Sequence, residues 1–455
     1  MSNHELPNGW AETTLEEIAR DVTYGYTAKS NRTSGGAKML RITDIQDNRV
    51  DWSQVPFCAI TATDKAKYLL KKWDLVFART GATVGKSFLI QDDVSDSVFA
   101  SYLIRVRCLE QEMTGYLSYF FNSPAYWDQI TDFSAGIGQP NVNGSKLKGL
   151  SIPLAPLAEQ KRIADKLEAV LGRVDACRAR LDCVPALLKR FRQSVLASAT
   201  SGGLTAEWRM TNGLNDEWET VPLQDAIDGI EQGWSPKCEN EPSTNPTDWA
   251  VIKTTAIQEM AFLEYENKRL PNHLKPRPNL EIQPGDILIT RAGPRVRAAV
   301  TCMVDSVRPR LIVCDKVYRF RAKKDKTTPN YLNVFLNSPL IVQELDEMKT
   351  GISDSGVNLT QSKFRALQIP LPTLPEQQEI VRRVEDLFAF ADRIKDRLAT
   401  AQKTVERLTP ATLAKAFRGE LVPQDPNDEP ATALLDRLRD APKANSSSRR
   451  RKIPK

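Results

Sequence analysis

Few residue groupings in this chain could do covalent chemistry. Gly81-Ala-Thr-Val-Gly85-Lys86-Ser87 has the flavour of a phosphate-binding loop. That loop needs four residues between its glycines, so that successive backbone N–H groups can surround a phosphate; here there are three. His4 and His273 are the only histidines, too few for a Ser-His-acid relay or a histidine metal centre. Glu266-Asn267-Lys268 resembles the end of a metal-nuclease motif, but no suitably placed Pro-Asp pair precedes it. The seven cysteines form no C-x-x-C pair, and an odd number argues against a disulfide framework. Metal sites and cofactors bound by this chain are therefore not expected.

The polar residues point instead to binding. Gly-aromatic-hydroxyl-x-Lys occurs twice, at Gly25 to Lys29 with Tyr26 and at Gly233 to Lys237 with Trp234. It offers backbone freedom, a stacking face and a phosphate partner. Arg41 and Lys253 precede matching Ile-Gln pairs, Ile45-Gln46 and Ile257-Gln258. Arg79 and Arg291 end matching strand-like runs, where a guanidinium could grip a guanine edge or a phosphate. Lys86, Arg295 and Arg297 fall in the loops that follow. Any one of these could serve as an ordinary surface ion pair; their recurrence at equivalent places carries the argument. Asn122-Ser-Pro-Ala-Tyr126 lacks the second proline of an amino-methyltransferase motif, and with Asn337-Ser-Pro it reads as a helix-ending turn.

These matches arise because the chain is written twice. Ile152-Pro-Leu-Ala-Pro-Leu-Ala-Glu-Gln160 returns as Ile369-Pro-Leu-Pro-Thr-Leu-Pro-Glu-Gln377, an offset of 217. Upstream the offset falls to 215 at Asn122/Asn337, 212 at Arg79/Arg291 and 208 at Gly25/Gly233 and Trp10/Trp218. A drift that never reverses is the mark of loop insertions in a duplicated module. Each copy opens with short β-rich stretches, such as Trp73 to Thr80 and Gly285 to Ala292, and short helices. Each closes on a long helical pattern.

In the first such pattern Ile163, Leu167, Val170, Val174, Cys177, Leu181, Val184, Leu188, Phe191 and Val195 alternate at spacings of four and three. Ile380, Val384, Leu387, Ala391, Ile394, Leu398, Ala401, Val405 and Leu408 do the same in the second. Both are coiled-coil seams, expected to pair with each other antiparallel, although each could instead pack on its own domain. From Ile163 to Val195 a helix spans about 50 Å at about 1.5 Å per residue. Thr373 to Glu376 has capping-box spacing with Pro375 just inside the start. Pro185 should kink or break the first helix, and Gly202-Gly203 and Gly419 should stop the two helices.

The expected fold is α+β: two globular mixed α/β domains separated by two long antiparallel coiled-coil helices, with pseudo-twofold symmetry. The expected segments are 1–154 and 213–371 for the domains and 155–212 and 372–425 for the helical regions. A short helix and a basic tail, Arg449 to Lys452 after Ser446 to Ser448, follow in 426–455. Two unlike heads on a rigid spacer suit half-sites on double-stranded DNA, which repeat about every 34–36 Å per helical turn. The formal charge of +6 and 41% hydrophobic content fit a globular DNA binder but do not single one out. No apolar run is long enough for a membrane span, and the first residues have no secretion-signal layout, so a cytoplasmic location without a membrane partner is expected.

The order of variable domain, helical segment, variable domain, helical segment resembles type I restriction–modification specificity subunits of the enteric subgroup. Leu188-Lys-Arg-Phe-Arg-Gln-Ser-Val-Leu196 and Leu413-Ala-Lys-Ala-Phe-Arg-Gly-Glu-Leu421 are its most specific parts. The segment after Leu421 departs from the family's pattern in lacking the usual Trp-Arg pair. The resemblance implies two target-recognition domains, each reading half of a bipartite asymmetric site, and no catalysis on this polypeptide. It also implies two methyltransferase subunits binding S-adenosylmethionine, and translocase–nuclease subunits using ATP and Mg. A fused restriction–methylation enzyme would need cofactor and nuclease motifs, and a mere adaptor would show no sequence-dependent DNA affinity.

Overall fold

A computed structural model describes residues 5–46, 48–81, 83–134, 142–214, 217–353 and 356–440. His4 and the basic tail lie outside them. Six strands of the first copy, β1 (Ala11–Thr14), β2 (Ala19–Tyr24), β3 (Leu75–Ala78), β4 (Ser87–Leu89), β5 (Leu103–Cys108) and β6 (Ser151–Leu154), have counterparts in the second. Those are β7 (Glu219–Pro222), β8 (Glu231–Gln232), β9 (Ile287–Thr290), β10 (Thr301–Met303), β11 (Val317–Phe320) and β12 (Gln368–Leu371). The helices are α1 (Met113–Phe120), α2 (Pro124–Ser134), α3 (Leu157–Thr200), α4 (Pro329–Leu336), α5 (Pro339–Glu347), α6 (Leu374–Ala416) and α7 (Ala431–Asp440). The duplication extends to topology: β2-β5-β3-β4 and β8-β11-β9-β10 are antiparallel sheets of the same order, and β1-β6 and β7-β12 are matching pairs.

By contacts the chain divides into unit 1, residues 1–181 with 400–455, and unit 2, residues 182–399. In unit 1 the start of α3 and the end of α6 share one core: Ile163 and Leu167 are buried with Leu413, Ala416 and Phe417 around Tyr116 and Phe120. Phe417 meets those two rings edge-on at 5.1 and 5.3 Å. In unit 2 the end of α3 meets the start of α6, burying Val195, Leu196 and Ala199 with Ile380 and Val384; Phe191 and Leu387 pack alongside. Arg192 adds an ion pair to Asp392 at 2.6 Å and lies 4.7 Å from the Phe388 ring centre. Within each unit the helices therefore run antiparallel.

The seam is less uniform than its spacing. Val174 and Leu398 are buried, whereas Val170, Leu181, Leu188, Ile394 and Val405 are only half-buried. Cys177 and Leu408, both expected in the seam, are exposed. Beyond Ala401 the covered stripe runs Val405, Thr409, Leu413, Ala416, which follows the 3.6-residue turn of a straight helix instead of the 3.5-residue heptad. That drift carries Leu408 off the contact. Pro185 does not break α3, which is helical from Leu157 to Thr200. One missing N–H in a helix of 44 residues is outweighed by the packing of both ends. The Asn-Ser-Pro turns are more than stops: Ser123 and Ser338 precede Pro124 and Pro339, which open α2 and α5 at the position where proline's fixed φ suits a helix start. Gly202 and Gly419 adopt φ of +81° and +73° after the long helices.

Repeated polar residues explain much of the sequence symmetry. Tyr116 and Tyr331 donate hydroxyl protons to the carbonyls of Pro153 and Pro370. Asp74 and Asp286 are buried, accept the N–H groups of Lys71 and Gln283, and pair with Arg107 and Arg321 at 2.6 and 2.5 Å. Trp10 and Trp218 donate indole N–H to Glu159 and Glu376 in the first turns of the long helices, at 3.1 and 3.2 Å.

Glu376 does not act as the expected capping box. Its carboxylate accepts from Arg209 at 2.6 Å and Thr205 at 2.7 Å as well as from Trp218. Glu159 has no such arginine bonded to it: Arg437 and Arg439, in the segment after Leu421, pair with Glu429 and Glu17 instead, and among the described residues the Glu159 Oε1 is buried without a hydrogen-bond partner. Burial raises its pKa above the ordinary 4.5, with Asp428 adding to the rise and Trp10 and Arg162 opposing it. A raised carboxyl pKa means the folded state holds the proton more tightly than the unfolded state. Its contribution to stability is therefore fullest at acid pH and falls as pH climbs from about 4.5 through the raised value. Glu159→Gln is expected to flatten that decline in urea titrations of the full chain at several pH values, without lowering stability at neutral pH.

Candidate nucleic-acid interface

Three strand ends meet at one edge of each large sheet. In unit 1, Gly25-Tyr26 leaves β2, Ser101-Tyr102 enters β5 and Arg79 leaves β3. Tyr26 N–H bonds the Phe99 carbonyl at 2.8 Å and Ser101 N–H the Tyr26 carbonyl at 2.9 Å. Arg79 N–H bonds the Tyr102 carbonyl at 3.1 Å, and its own carbonyl accepts from Val142. Unit 2 repeats this: Trp234 N–H bonds Val313, Arg291 N–H bonds Lys316 at 2.8 Å, and Leu359 N–H bonds Arg291. The two glycines are needed for closeness, since neither has a positive φ. A Cβ on Gly25 would stand 2.1 Å from the Ala100 carbonyl oxygen, and one on Gly233 2.2 Å from that of Val313. Backbone freedom, the expectation from sequence, is not their role.

The side chains at this edge are held by rings. The Arg79 guanidinium lies 4.9 Å from the Tyr24 ring centre, and Tyr24 also accepts the Gly144 N–H. Arg291 lies 5.8 Å from Tyr318 and donates Nε–H to the Asp315 carbonyl at 2.6 Å. Tyr26 packs on Tyr68 with centres 5.3 Å apart, and Arg277 stacks over Trp234 at 4.4 Å. Lys29, Lys86 and Lys237 are exposed.

The remaining candidates are engaged elsewhere. Arg41 pairs with Asp44 at 2.6 Å, a hydrogen bond that raises its pKa. Lys253 faces Glu266 at 3.4 Å and Arg295 faces Asp346 at 3.1 Å. Arg297 gives its guanidinium to the carbonyls of Thr254 and Ile257 and to Gln258, bracing the loop after β9. Lys86-Ser87 runs straight into β4, whereas a phosphate-binding loop leads into a helix N-terminus. Sequence reasoning did not single out Tyr24, Tyr102, Arg277 or Lys316. Tyr102 and Lys316 share a backbone position but no chemistry, so the repeat could not signal them. Among the described residues no cluster of His, Cys, Asp and Glu could hold a metal ion, and no helix is long and apolar enough to cross a membrane.

The family model of the type I restriction modification DNA specificity domain matches residues 7–181 and 215–402, one match per copy. The chain belongs to this family. Among its relatives, the type I restriction enzyme EcoKI specificity subunit of Escherichia coli K12 is 29% identical over 96% of this chain and 97% of its own length. The StySPI specificity subunit of Salmonella potsdam is 29% identical over 96% of both chains. The EcoEI specificity subunit of Escherichia coli reaches 35% over 53% of this chain and 42% of its own. The fold of the specificity family is shared with the HsdS subunit of Thermoanaerobacter tengcongensis, at a TM-score of 0.60 and 20% identity over 92% of this chain and 99% of that one. A chain from a study of assembly and conformational transition of the type I R-M system gives 0.66 at 21% identity, covering 92% of this chain and all of that one.

Proposed function

We propose that this chain is the DNA-recognition subunit of a type I restriction–modification assembly and carries no reaction of its own. Unit 1 reads one half of a split, asymmetric site and unit 2 the other, while α3 and α6 set the unread gap. Methylation, with S-adenosylmethionine, and ATP- and Mg-dependent translocation and cleavage belong to methyltransferase and translocase–nuclease partners. The observation that carries this reading is the duplicated sheet edge. An aromatic residue and an arginine emerge from the same backbone sockets in both units, in a family whose matched domain is named for DNA specificity. The surrounding residues differ between units, so the two half-sites differ.

Arg79→Ala and Arg291→Ala are each expected to weaken binding through one half-site only. A lost base contact should cost about 1–3 kcal/mol and relax specificity there, whereas a lost phosphate contact should weaken all sequences evenly. Binding of the chain with its methyltransferase partner to duplexes altered in either half, guided by the methylated motif of the host genome, measures this. Equal losses at both half-sites in each variant overturn the assignment of one half-site to each unit.

A further inference from the structure

We propose that the residue standing between the aromatic and the arginine at each sheet edge, Tyr102 in unit 1 and Lys316 in unit 2, is a base-reading side chain that makes the two half-sites chemically different. The proposal rests on the reading that both units bind DNA, and it names the residue that divides their specificities.

The equivalence of the two positions is a matter of backbone. The Tyr102 carbonyl accepts from Arg79 as the Lys316 carbonyl accepts from Arg291, across β5–β3 and β11–β9 pairs in the same register. On the other flank, Tyr26 and Trp234 are tied by their N–H groups to Phe99 and Val313, each three residues before the position in question. Two side chains of different chemistry thus start from one socket, with an arginine on one side and an aromatic residue on the other.

Neither side chain serves the fold. Tyr102 is 63% exposed, among the most exposed large apolar side chains of the molecule. It makes no ring contact and no side-chain hydrogen bond among the described residues, although Tyr24, Tyr26 and Tyr68 nearby all do. Lys316 is exposed and forms no ion pair among the described residues, in a loop where Asp315 is bonded to Ser235. A solvated phenol beside a fixed guanidinium provides a flat apolar face and a hydroxyl that can donate or accept. It suits stacking on an unstacked base or contact with a thymine methyl. An ammonium at the same point is a donor-only charge, suited to the O6 and N7 acceptors of guanine or to a phosphate. The two units therefore present a neutral aromatic and a cation to the same part of their half-sites.

Exchange of the two residues tests this in the full chain bound to its methyltransferase partner, with affinities measured on duplexes varied base by base. Tyr102→Lys is expected to change base preference in the unit 1 half-site by about tenfold or more, leave the other half untouched, and steepen the salt dependence by about one counterion. Lys316→Tyr should change only the unit 2 half-site and make the salt dependence shallower by a similar amount. Tyr102→Gln, which removes the ring without adding charge, should lose the unit 1 preference with no change in salt slope. Base preferences that stay within about twofold in all three variants, while Arg79→Ala and Arg291→Ala still disturb their own half-sites, overturn the proposal and leave the DNA-binding reading intact. If the arginine variants also leave binding unchanged, the DNA-binding reading itself fails. Thermal unfolding of each variant should match the parent, because both side chains are exposed.

Discussion

Arg209→Ala is expected to destabilise unit 2 by about 3–5 kcal/mol, the cost of leaving one partner of a buried ion pair without its counter-charge. Arg209 and Glu376 have side chains only 6% and 2% exposed and meet at 2.6 Å. Arg209 also donates to Thr205 and to the Gly202 carbonyl just past the end of α3, and its guanidinium lies 5.4 Å from the Trp218 ring centre. One residue thus ties the end of α3, the start of α6 and the start of the second copy. Glu376→Gln should cost less, since the amide oxygen can still accept from Arg209. Urea denaturation of the two single variants and the double variant gives the coupling directly. A coupling near zero would mean that the pair does not hold these three segments.

The second large effect is expected at Gly25 and Gly233. Alanine at either position places a carbon 2.1–2.2 Å from a carbonyl oxygen, on backbone that is itself hydrogen-bonded into the sheet edge. No rotamer relieves a Cβ clash with backbone, so the strand ends must separate. A loss of about 3 kcal/mol, at the upper end of overpacking costs, is expected in each case. The shift should also displace Tyr26 or Trp234 and weaken DNA binding through the half-site proposed for that unit. Gly172→Ala is the contrasting control: it lies in α3 with nothing within 4 Å of the added carbon, and should stabilise by about 0.5–1 kcal/mol. Equilibrium unfolding of the three variants decides it, and a neutral Gly25→Ala would show that the close approach is not required.

The duplication, the long helices and their antiparallel pairing were legible in the chain, because periodic apolar residues and a steadily drifting offset are local or additive signals. The limits of the seam were not. Leu408 satisfies the heptad spacing, but only the packing of Leu413 and Phe417 into unit 1 reveals that the stripe has changed period by then. Glu376 matches a capping box in sequence, and the arginine that claims it stands 167 residues away. At the candidate interface, repetition marked Arg79, Arg291, Tyr26 and Trp234. It marked Arg41, Lys253 and Arg297 as readily, and these neutralise a carboxylate or brace a loop. Tyr102 and Lys316 escaped notice because a search for likeness passes over the positions where two copies have diverged.

The closure of the unit 1 core by Leu413, Ala416 and Phe417 of α6, and by Leu434, Leu435 and Leu438 of α7, bears on how the protein is born at the ribosome. Although its first residues emerge earliest, unit 1 must wait for those late-made side chains, and until then its aromatic face around Tyr116 and Phe120 stays wet. Unit 2 draws only on residues 182–399 and has all its parts sooner. The head that is translated first is thus the last that can finish folding, and during that delay it is the part of the nascent chain most in need of a chaperone.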